Sequence, residues 1–417
     1  MTPEVKERIE QIRHGNVPEG YKKTRKGTIP NQWQVRKIRD VATISSGSTP
    51  NRENPQYWGG DIPWVTTGEL ESGTVTSTRE MISQKALEET SLKIYPAGTL
   101  LMAMYGQGKT RGTTAMLGIN ATINQACAAI TVEQGSKEYL FYLLQSAYAD
   151  IRKLSNTGNQ ENLNAEIIRT FPVIYAPIDE QQKIADILSE QDTYIELKEK
   201  LLAEKQRQKK HLMQQLLTGK KRLPGFDGER KQEKLGKLFA ERSETKCEHL
   251  ELLAITGAQG VIPRTQLDLK DNSSEDKSKY LRICVGDIGY NTMRMWQGVS
   301  AYSNYEGIVS PAYTILKPSS TINAKYFAYL FKMPEIVFLF YRFSQGLVDD
   351  TRNLKYENFK KISVTYPVDK EEQNAIVAVL EKADQEIELL RQSIEQEKQK
   401  KKALMQLLLT GIVRVVV

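Results

Sequence analysis

The segment LLMAMYGQGKTRGTTA, residues 100–115, carries the residue types of a phosphate-binding loop. From Ala103 to Thr110 it reads A-x-x-x-x-G-K-T, which fits the nucleotide-binding pattern if alanine replaces the first glycine. Such a loop connects a strand to a helix whose N-terminus helps to hold the anion. The residues after Lys109 are rich in glycine, threonine and asparagine, which start a helix poorly. We therefore expect a glycine-rich turn between strands that presents Lys109 and Arg111 to an anion, with a P-loop-like nucleotide hydrolase as the alternative.

The other residues that could do chemistry form no recognisable catalytic or metal-binding pattern. No G-x-S-x-G motif is present, and the three histidines lie away from any candidate nucleophile. The three cysteines are far apart and in no C-x-x-C spacing. The sequence therefore predicts no catalytic residue, no metal site and no cofactor in this chain, and favours a binding protein.

Length and charge narrow the class further. A chain of 417 residues is long enough for two or three domains, and its net charge of +7 favours a polyanionic partner. No run of 18 apolar residues occurs, and the N-terminus is a charged helical pattern rather than a signal sequence. We expect a cytoplasmic protein without a membrane partner.

An internal repeat organises the chain. HLMQQLLTGKKR begins at residue 211 and ALMQLLLTGIVR at residue 403, an offset of 192 residues that holds without a gap for about forty residues. The same offset aligns Glu180 with Glu372 and Asp192 with Asp384. One gapped residue further back, the pair Asn-Leu at 162–163 aligns with Asn-Leu at 353–354. The chain is thus a tandem duplication.

The matched segments have the spacing of long helices with a coiled-coil seam. Apolar residues alternate at spacings of four and three, and we expect them to form partner-binding helices: Ile184, Leu188, Ile195, Leu202, Leu212, Leu216, Ile376, Leu380, Ile387, Ile394, Leu404 and Leu408. Four polar seam positions could fix the register of a helix pair: Lys205, Lys209, Glu397 and Lys401. Gly219 and Gly411 are expected to end the helices. Two copies in one chain favour an intramolecular antiparallel pair, whereas dimerisation alone remains the alternative.

The regions before each helix are mixed and rich in short strand patterns. We expect an α+β fold, in which two similar mixed α/β-rich globular domains are joined by two long antiparallel coiled-coil helices in a pseudo-two-fold tandem duplication. One helix is expected over SKEYLFYLLQSAYADIRKL and another over NAKYFAYLFKMPEIVFLFYRF. The predicted segments are an N-terminal helix within 1–20, a first domain over 21–178, a helix over 179–219, a second domain over 220–368, a helix over 369–411 and a tail over 412–417.

Each variable region gathers side chains of the kind that contact DNA. Arginine and lysine suit guanine edges, asparagine and glutamine suit adenine edges, and hydroxyl groups suit phosphates. The candidates in the first region are Ser46, Ser48, Thr49, Asn51, Arg52, Tyr105, Gln107, Lys109 and Arg111. Those in the second region are Arg242, Tyr290, Asn291, Met293, Arg294, Trp296 and Gln297.

The combination of these motifs resembles one known family. Two variable domains, each followed by a helix that opens with P-[IV]-D and EQ and closes with LMQ and LLTG, resemble the specificity (S) subunit of type I restriction-modification enzymes. The segments GSTPNRENPQYWGGDIPW, NATINQACAAI, GDIGYNTMRMWQG and GIVSPAYTIL carry the same resemblance, which covers nearly the whole chain.

The resemblance implies that each variable domain is a target-recognition domain for one half of a bipartite, asymmetric sequence in double-stranded DNA. It implies that the two helices set the unread gap and dock two methyltransferase (M) subunits, and that restriction (R) subunits join them. S-adenosylmethionine, ATP and magnesium are then expected in the partner subunits. A coiled-coil scaffold without a DNA role remains the other alternative.

Overall fold

Short strands and helices, separated by turn residues, make up most of the chain outside two long helices. The computed structural model describes residues 2–106, 108–154, 162–257, 259–267 and 276–416. The chain divides into two compact units: unit 1 comprises Met1–Lys198 and Ser393–Val417, and unit 2 comprises Glu199–Gln392. Each long helix therefore contributes residues to both units.

The first part of the chain contains strands that alternate with short helices. Its helices are α1 (Pro3–Arg13), α2 (Gln84–Glu89), α3 (Lys137–Ser146), α4 (Tyr148–Lys153) and α5 (Ala165–Thr170). Its strands are β1 (Tyr21–Thr24), β2 (Gly27–Pro30), β3 (Gln34–Lys37), β4 (Ala42–Ser46), β5 (Trp58–Val65), β6 (Thr74–Val75), β7 (Glu80–Ile82), β8 (Leu100–Ala103), β9 (Thr114–Leu117), β10 (Thr122–Ile123), β11 (Cys127–Val132) and β12 (Pro172–Tyr175).

The main sheet of unit 1 has the strand order β4-β11-β8-β9-β6. A smaller sheet, β10-β5-β7, and the pairs β1-β2 and β12-β3 complete the strands. One face of the main sheet packs on α3 and on the start of the first long helix, in a core that includes Leu140, Ile184 and Leu188. The long helix is thus part of the domain core.

The second part of the chain repeats this plan with fewer strands. Its helices are α7 (Leu235–Leu238), α8 (Ala324–Leu330), α9 (Pro334–Phe343) and α10 (Tyr356–Phe359). Its strands are β13 (Arg230–Lys234), β14 (Phe239–Arg242), β15 (Leu253–Thr256), β16 (Gly260–Pro263), β17 (Leu281–Ile283), β18 (Ile288–Asn291), β19 (Ser300–Tyr302), β20 (Gly307–Val309), β21 (Tyr313–Pro318) and β22 (Ser363–Pro367).

The main sheet of unit 2 has the order β14-β21-β18-β19, and β13-β22, β15-β16 and β17-β20 form separate pairs. Its core joins aromatic residues of α8 and α10 to both long helices, and includes Phe327, Phe359, Leu216 and Leu380. Both units are therefore mixed α/β domains, as the sequence predicts.

The two long helices are α6 (Ile178–Thr218) and α11 (Lys370–Leu408). Gly219 and Gly411 follow them with φ of +76° and +73°, the left-handed conformation that ends a helix. The Lys198 ammonium donates to the hydroxyl of Ser393 at 2.7 Å in unit 1. Within unit 2 Lys205 donates to Glu386 at 2.8 Å. In both units the helix segments pair antiparallel, which confirms the intramolecular pair.

Two predicted helices are each broken in two. The segment from residue 137 to 153 is interrupted at Ala147, whose backbone (φ −86°, ψ 4°) leaves the helical range. In unit 2 α8 ends at Leu330 and α9 starts at Pro334, because proline cannot continue a helix from its interior but fits the first turn. No helix in the described part of the chain is long and apolar enough to span a membrane.

Candidate functional site

The turn that contains the lysine-threonine motif connects two antiparallel strands. Met102 of β8 lies opposite Thr114 of β9, and the amide of Ala103 donates to the carbonyl of Thr113 at 2.9 Å. A phosphate-binding loop needs a helix after the strand, because the helix N-terminus supplies donors to the anion. The nucleotide-hydrolase alternative is therefore wrong for this segment, and the predicted turn between strands is confirmed.

The predicted contact residues of this turn, which spans residues 104–113, differ in accessibility. Tyr105 and Lys109 are exposed, whereas Arg111 is only 7% exposed. The hydroxyl of Tyr148 on α4 donates to the carbonyl of Lys109 at 2.6 Å, and this hydrogen bond holds the turn against α4. The expectation that Arg111 faces an anion is wrong, because its side chain is buried. The remaining candidate, Gln107, lies outside the described residues.

Unit 2 has the same hairpin, with a turn over residues 292–299 between β18 and β19. The turn exposes Met293, Arg294 and Gln297. The indole of the half-buried Trp296 donates to the carbonyl of Met293 at 2.9 Å, which holds the turn together. Three of the predicted contact residues of this segment are thus accessible to a ligand.

Two further candidates of this segment have structural contacts. Tyr290 is fully buried and stacks on Phe359 with ring centroids 5.5 Å apart, so it belongs to the core and not to a DNA surface. The side-chain oxygen of the half-buried Asn291 accepts from the amide of Met293 at 3.0 Å. The prediction for Tyr290 is wrong because a tyrosine in a strand pattern can face either side of the sheet.

The two turns are held at equivalent places. The amide of Leu163 donates to the carbonyl of Met104 at 3.0 Å, and the amide of Leu354 donates to the carbonyl of Thr292 at 2.8 Å. Both leucines belong to the repeated Asn-Leu pair. The duplication therefore gives both turns the same backbone support, while the exposed residues of the two turns differ.

The candidates between residues 46 and 52 follow β4. Ser46 and Asn51 are exposed, and Ser48 is half-buried with its carbonyl accepting from the Trp64 indole at 3.0 Å. The hydroxyl of Thr49 donates to Gln125. This segment is thus tied to the neighbouring sheet at several points.

Arg52 has a more elaborate set of contacts. Its guanidinium lies 4.1 Å from the ring centroid of Trp58 and 4.9 Å from that of Trp64, and it donates two hydrogen bonds to Glu80. These hydrogen bonds hold the pKa of Glu80 below its ordinary value. Arg52 remains exposed, but two of its five donors are directed to a partner in its own unit.

Arg242 is occupied in the same way and is nearly buried. Its guanidinium donates to Asp287 at 2.7 Å and to Glu244 at 2.6 Å, and 11% of its side chain is exposed. The hydrogen bond to Asp287 raises the pKa of Arg242. The prediction that Arg242 contacts DNA is therefore wrong, because the carboxylates already satisfy its charge.

The repeated Glu-Gln pair at the start of each long helix has a structural explanation. Glu180 is buried and accepts two hydrogen bonds from Arg414, at 2.6 and 2.8 Å. Glu372 is buried and accepts two from Arg222, both at 2.6 Å. In each unit the start of one long helix is therefore paired with the arginine that follows the other.

The glutamine of each pair contacts the start of a shorter helix in the same unit. The side-chain oxygen of Gln181 accepts from the amide of Ser136, at 2.9 Å, and that of Gln373 accepts from the amide of Asn323, at 2.8 Å. Ser136 and Asn323 are the N-caps of α3 and α8. Sequence reasoning missed both networks, although the 192-residue offset also relates the two arginines.

A third repeated contact joins three side chains. In unit 1 Asp192 accepts from the Tyr142 hydroxyl at 2.9 Å and from Lys401 at 2.6 Å. In unit 2 Asp384 accepts from the Tyr329 hydroxyl at 2.7 Å and from Lys209.

Each of these lysines also lies 5.3 Å from the ring centroid of its tyrosine. Burial, and then the neighbouring aspartate, raises the pKa of both tyrosines, Tyr142 and Tyr329.

The prediction that polar seam positions pair the helices is confirmed at Lys205, Lys209, Glu397 and Lys401.

Most of the apolar seam is covered by the chain itself. Nine of its residues are buried: Ile184, Leu188, Ile195, Leu216, Ile376, Leu380, Ile387, Ile394 and Leu408. Leu202, Leu212 and Leu404 are half-buried. The prediction that the seam binds a partner is therefore wrong for the nine buried residues, because the chain itself covers them, and it stays a prediction for the three half-buried ones.

Other apolar residues of the long helices are exposed. Leu197 is 58% exposed and Leu389 is 65% exposed, and the 192-residue offset relates the two. In unit 1 Leu197 also lines a groove of about 680 Å³ that includes Ile187 and Leu404. Each copy of the repeat therefore exposes an equivalent leucine.

Comparison with known proteins identifies the family. The sequence profile described as "Type I restriction modification DNA specificity domain" matches residues 30–205 and 269–399. This chain belongs to the type I restriction-modification DNA specificity family. The resemblance seen in the sequence is confirmed, and the family domain occurs twice, as the tandem duplication predicts.

Individual relatives agree with this assignment. The type I restriction enzyme MjaIX specificity subunit of Methanocaldococcus jannaschii is 34% identical over 186 residues, which cover 43% of this chain and 42% of that protein. The match thus spans about two fifths of the length of that curated relative. The putative MjaX specificity subunit of the same organism is 23% identical over 95% of this chain and 97% of its own length.

A solved structure shows the same fold. The S subunit of the type I restriction-modification system from M. genitalium superposes with a TM-score of 0.56 at 15% identity, and covers 92% of this chain and 97% of its own.

Proposed function

We propose that this chain is the DNA-recognition subunit of a type I restriction-modification system and that it catalyses no reaction itself. The observation that carries the proposal is the duplicated hairpin turn, over residues 104–113 and 292–299, held by equivalent backbone contacts but exposing different side chains. Two turns that share backbone contacts but expose different residues suit a bipartite DNA sequence whose two halves differ. A non-palindromic target in double-stranded DNA follows.

The exposed side chains of these turns are of the types that contact DNA. Lys109 and Arg294 are exposed, and arginine in particular binds guanine edges through two parallel hydrogen bonds. Each wrong base pair costs about 1–3 kcal/mol in such interfaces, so two turns together provide useful selectivity. That the long helices set the gap between the half-sites stays a prediction.

The methylation chemistry then belongs to partner subunits. S-adenosylmethionine would be held by two methyltransferase subunits, and ATP and Mg²⁺ by the subunits that restrict DNA. An adenine must leave the duplex before it can be methylated, so a separate reader can hold the DNA while the partner acts. The equivalent exposed leucines, Leu197 and Leu389, suit two copies of one partner.

DNA selection tests this proposal. The chain, in complex with its methyltransferase partner, is incubated with random duplexes at fixed salt, and bound DNA is sequenced. We expect one split motif and an affinity that depends on sequence. A scaffold without a DNA role would give an affinity that depends on salt alone.

A further inference from the structure

Unit 2 contains a cavity of about 390 Å³ beside the recognition turn. Its lining includes the basic residues Lys209, Lys325 and Lys332 and a single acid, Glu381. Tyr302 and Ala328 contribute apolar surface. A pocket of this size, apolar with a few polar groups, is typical of sites for small molecules.

Two of the three lysines are already neutralised. Lys325 donates to Glu381 at 2.6 Å, and Lys209 donates to Asp384. Lys332 instead donates to the carbonyls of Gly298 at 2.7 Å and Ser300 at 2.6 Å. Among the described residues no carboxylate pairs with Lys332, so its charge is uncompensated.

Lys332 is an exposed residue, but its ammonium lies against the two backbone carbonyls to which it donates. Burial lowers the pKa of Lys332 to about 8, so the group is still mostly protonated at neutral pH. An ammonium has three donors, of which the two carbonyls use two. One proton therefore remains for an acceptor in the cavity.

Ser300 supplies a second donor in the same place. It is 2% exposed, lines the cavity, and its hydroxyl has no hydrogen-bond partner. A buried polar group without a partner costs free energy, so a native protein usually satisfies it. A ligand with several acceptor oxygens would satisfy both the unpartnered hydroxyl and the uncompensated ammonium.

The other copy of the repeat also has a buried hydroxyl without a partner, that of Thr114, but it lacks the ammonium. The equivalent pocket of unit 1 has a volume of about 290 Å³ and is lined by Gln145 and Glu71. Gln145 corresponds to Lys332, because Tyr142 and Tyr329 occupy equivalent places three residues earlier. Thr114 corresponds to Ser300, because each is the first residue of the second hairpin strand. Among the described residues that line the unit 1 pocket, none is a lysine or arginine.

We propose that the cavity of unit 2 binds a small phosphate monoester, whose phosphate is held by Lys332 and Ser300 and whose body lies against Tyr302 and Ala328. A monoester carries between one and two negative charges and three acceptor oxygens, which match the two free donors and the positive lining. A carboxylate has fewer acceptors. The phosphodiester of DNA is flanked by sugars on both sides and reaches a donor as buried as Ser300 poorly.

This site does not depend on the proposed function, because the ligand would bind in the absence of DNA. Titration of the full chain with adenosine 5′-monophosphate, followed by calorimetry and by ³¹P NMR line width, tests it directly. We expect saturable binding of the monophosphate and none of adenosine. Absence of binding at millimolar monophosphate would overturn the proposal.

Three variants assign the site. Lys332→Gln gives the residue found in unit 1 and is expected to weaken binding about tenfold. Ser300→Ala removes only the unpartnered hydroxyl, so we expect an unchanged melting temperature and binding weakened about threefold or more. Lys317→Gln, at an exposed lysine of β21 outside the cavity lining, is the matched control and should leave the affinity unchanged. Equal binding by wild type, Lys332→Gln and Ser300→Ala would overturn the assignment.

A second readout separates a free ligand from DNA. Suppose that the monophosphate does not bind, and that Lys332→Gln lowers DNA affinity and reduces the slope of log affinity against log salt concentration by about one. The cavity is then a contact for a DNA phosphate, and the proposal is wrong. If the monophosphate binds but DNA affinity shows no sequence dependence, the cavity assignment stands and the proposed function fails.

Discussion

Arginines of similar appearance in the sequence have different roles in this protein. Arg294 is exposed on the recognition turn of unit 2, whereas Arg242 is enclosed by Asp287 and Glu244. Residue type and loop context suggested DNA contact for both. The difference depends on which carboxylates the fold brings near each guanidinium. The pattern of residue types in the sequence does not contain that information.

This contrast predicts opposite outcomes for two substitutions. Arg294→Ala should weaken DNA binding, by about 1–3 kcal/mol if it contacts a base, and leave the melting temperature unchanged. Arg242→Ala should lower the free energy of unfolding by about 3 kcal/mol, because the buried Asp287 loses its ion-pair partner and keeps only the amide of Cys284 as a donor. Urea unfolding and DNA binding of both variants check this. A stable Arg242→Ala chain that has lost DNA binding would contradict the assignment.

At the scale of secondary-structure elements, short polar contacts connect the long helices with the mixed α/β part of each unit. The sequence predicts the helices, their C-terminal glycines and the polar seam, because these follow from spacing. It does not predict that Tyr142 and Tyr329 donate to the seam aspartates, Asp192 and Asp384. The tyrosines lie in the variable regions, about 50 residues from their partners, and only the fold brings them together.

The buried tyrosines predict a pH dependence. Their pKa is raised in the folded chain, first by burial and then by the adjacent aspartate, so the unfolded chain ionises them at lower pH. The stability that they contribute is therefore present below pH of about 10 and is lost as the pH rises above it. The Tyr142→Phe, Tyr329→Phe double variant should lose less stability than wild type between pH 10 and about 11.5.

Urea unfolding at both pH values measures this difference. Tyr305→Phe changes a tyrosine that is 38% exposed and serves as the control, which should follow wild type. If the double variant also follows wild type, the two tyrosines do not titrate as the structure implies.

The exposed leucines of the long helices predict a stoichiometry. Leu197→Asp and Leu389→Asp should each leave one methyltransferase subunit bound per chain in place of two, because a charge enters an apolar contact. The double variant should bind none. Native mass spectrometry of the co-purified complex counts the subunits. Val285→Asp, at a residue that is 61% exposed in the second variable region, is the matched control. Two bound subunits in the double variant would exclude this docking surface.

At the scale of the whole molecule, the duplication was the most informative feature of the sequence. The offset of 192 residues relates Glu180 to Glu372 and Asp192 to Asp384, which have equivalent partners, and Leu197 to Leu389, which are both exposed. The intramolecular pairing of the two helices was predicted, but the same seam residues were also assigned to a partner. An apolar stripe does not show whether its own chain or a partner packs on it, so the partner surface was assigned to the wrong residues.

We propose that two different turns, held by the same duplicated fold, direct methylation to a bipartite DNA sequence. The most direct measurement is to co-express this chain with its methyltransferase in a host without adenine methylation and to map modified adenines by long-read sequencing. We expect methylation at one bipartite, asymmetric motif. Methylation at a contiguous or palindromic motif would contradict it, as would no methylation when both proteins are soluble and associated.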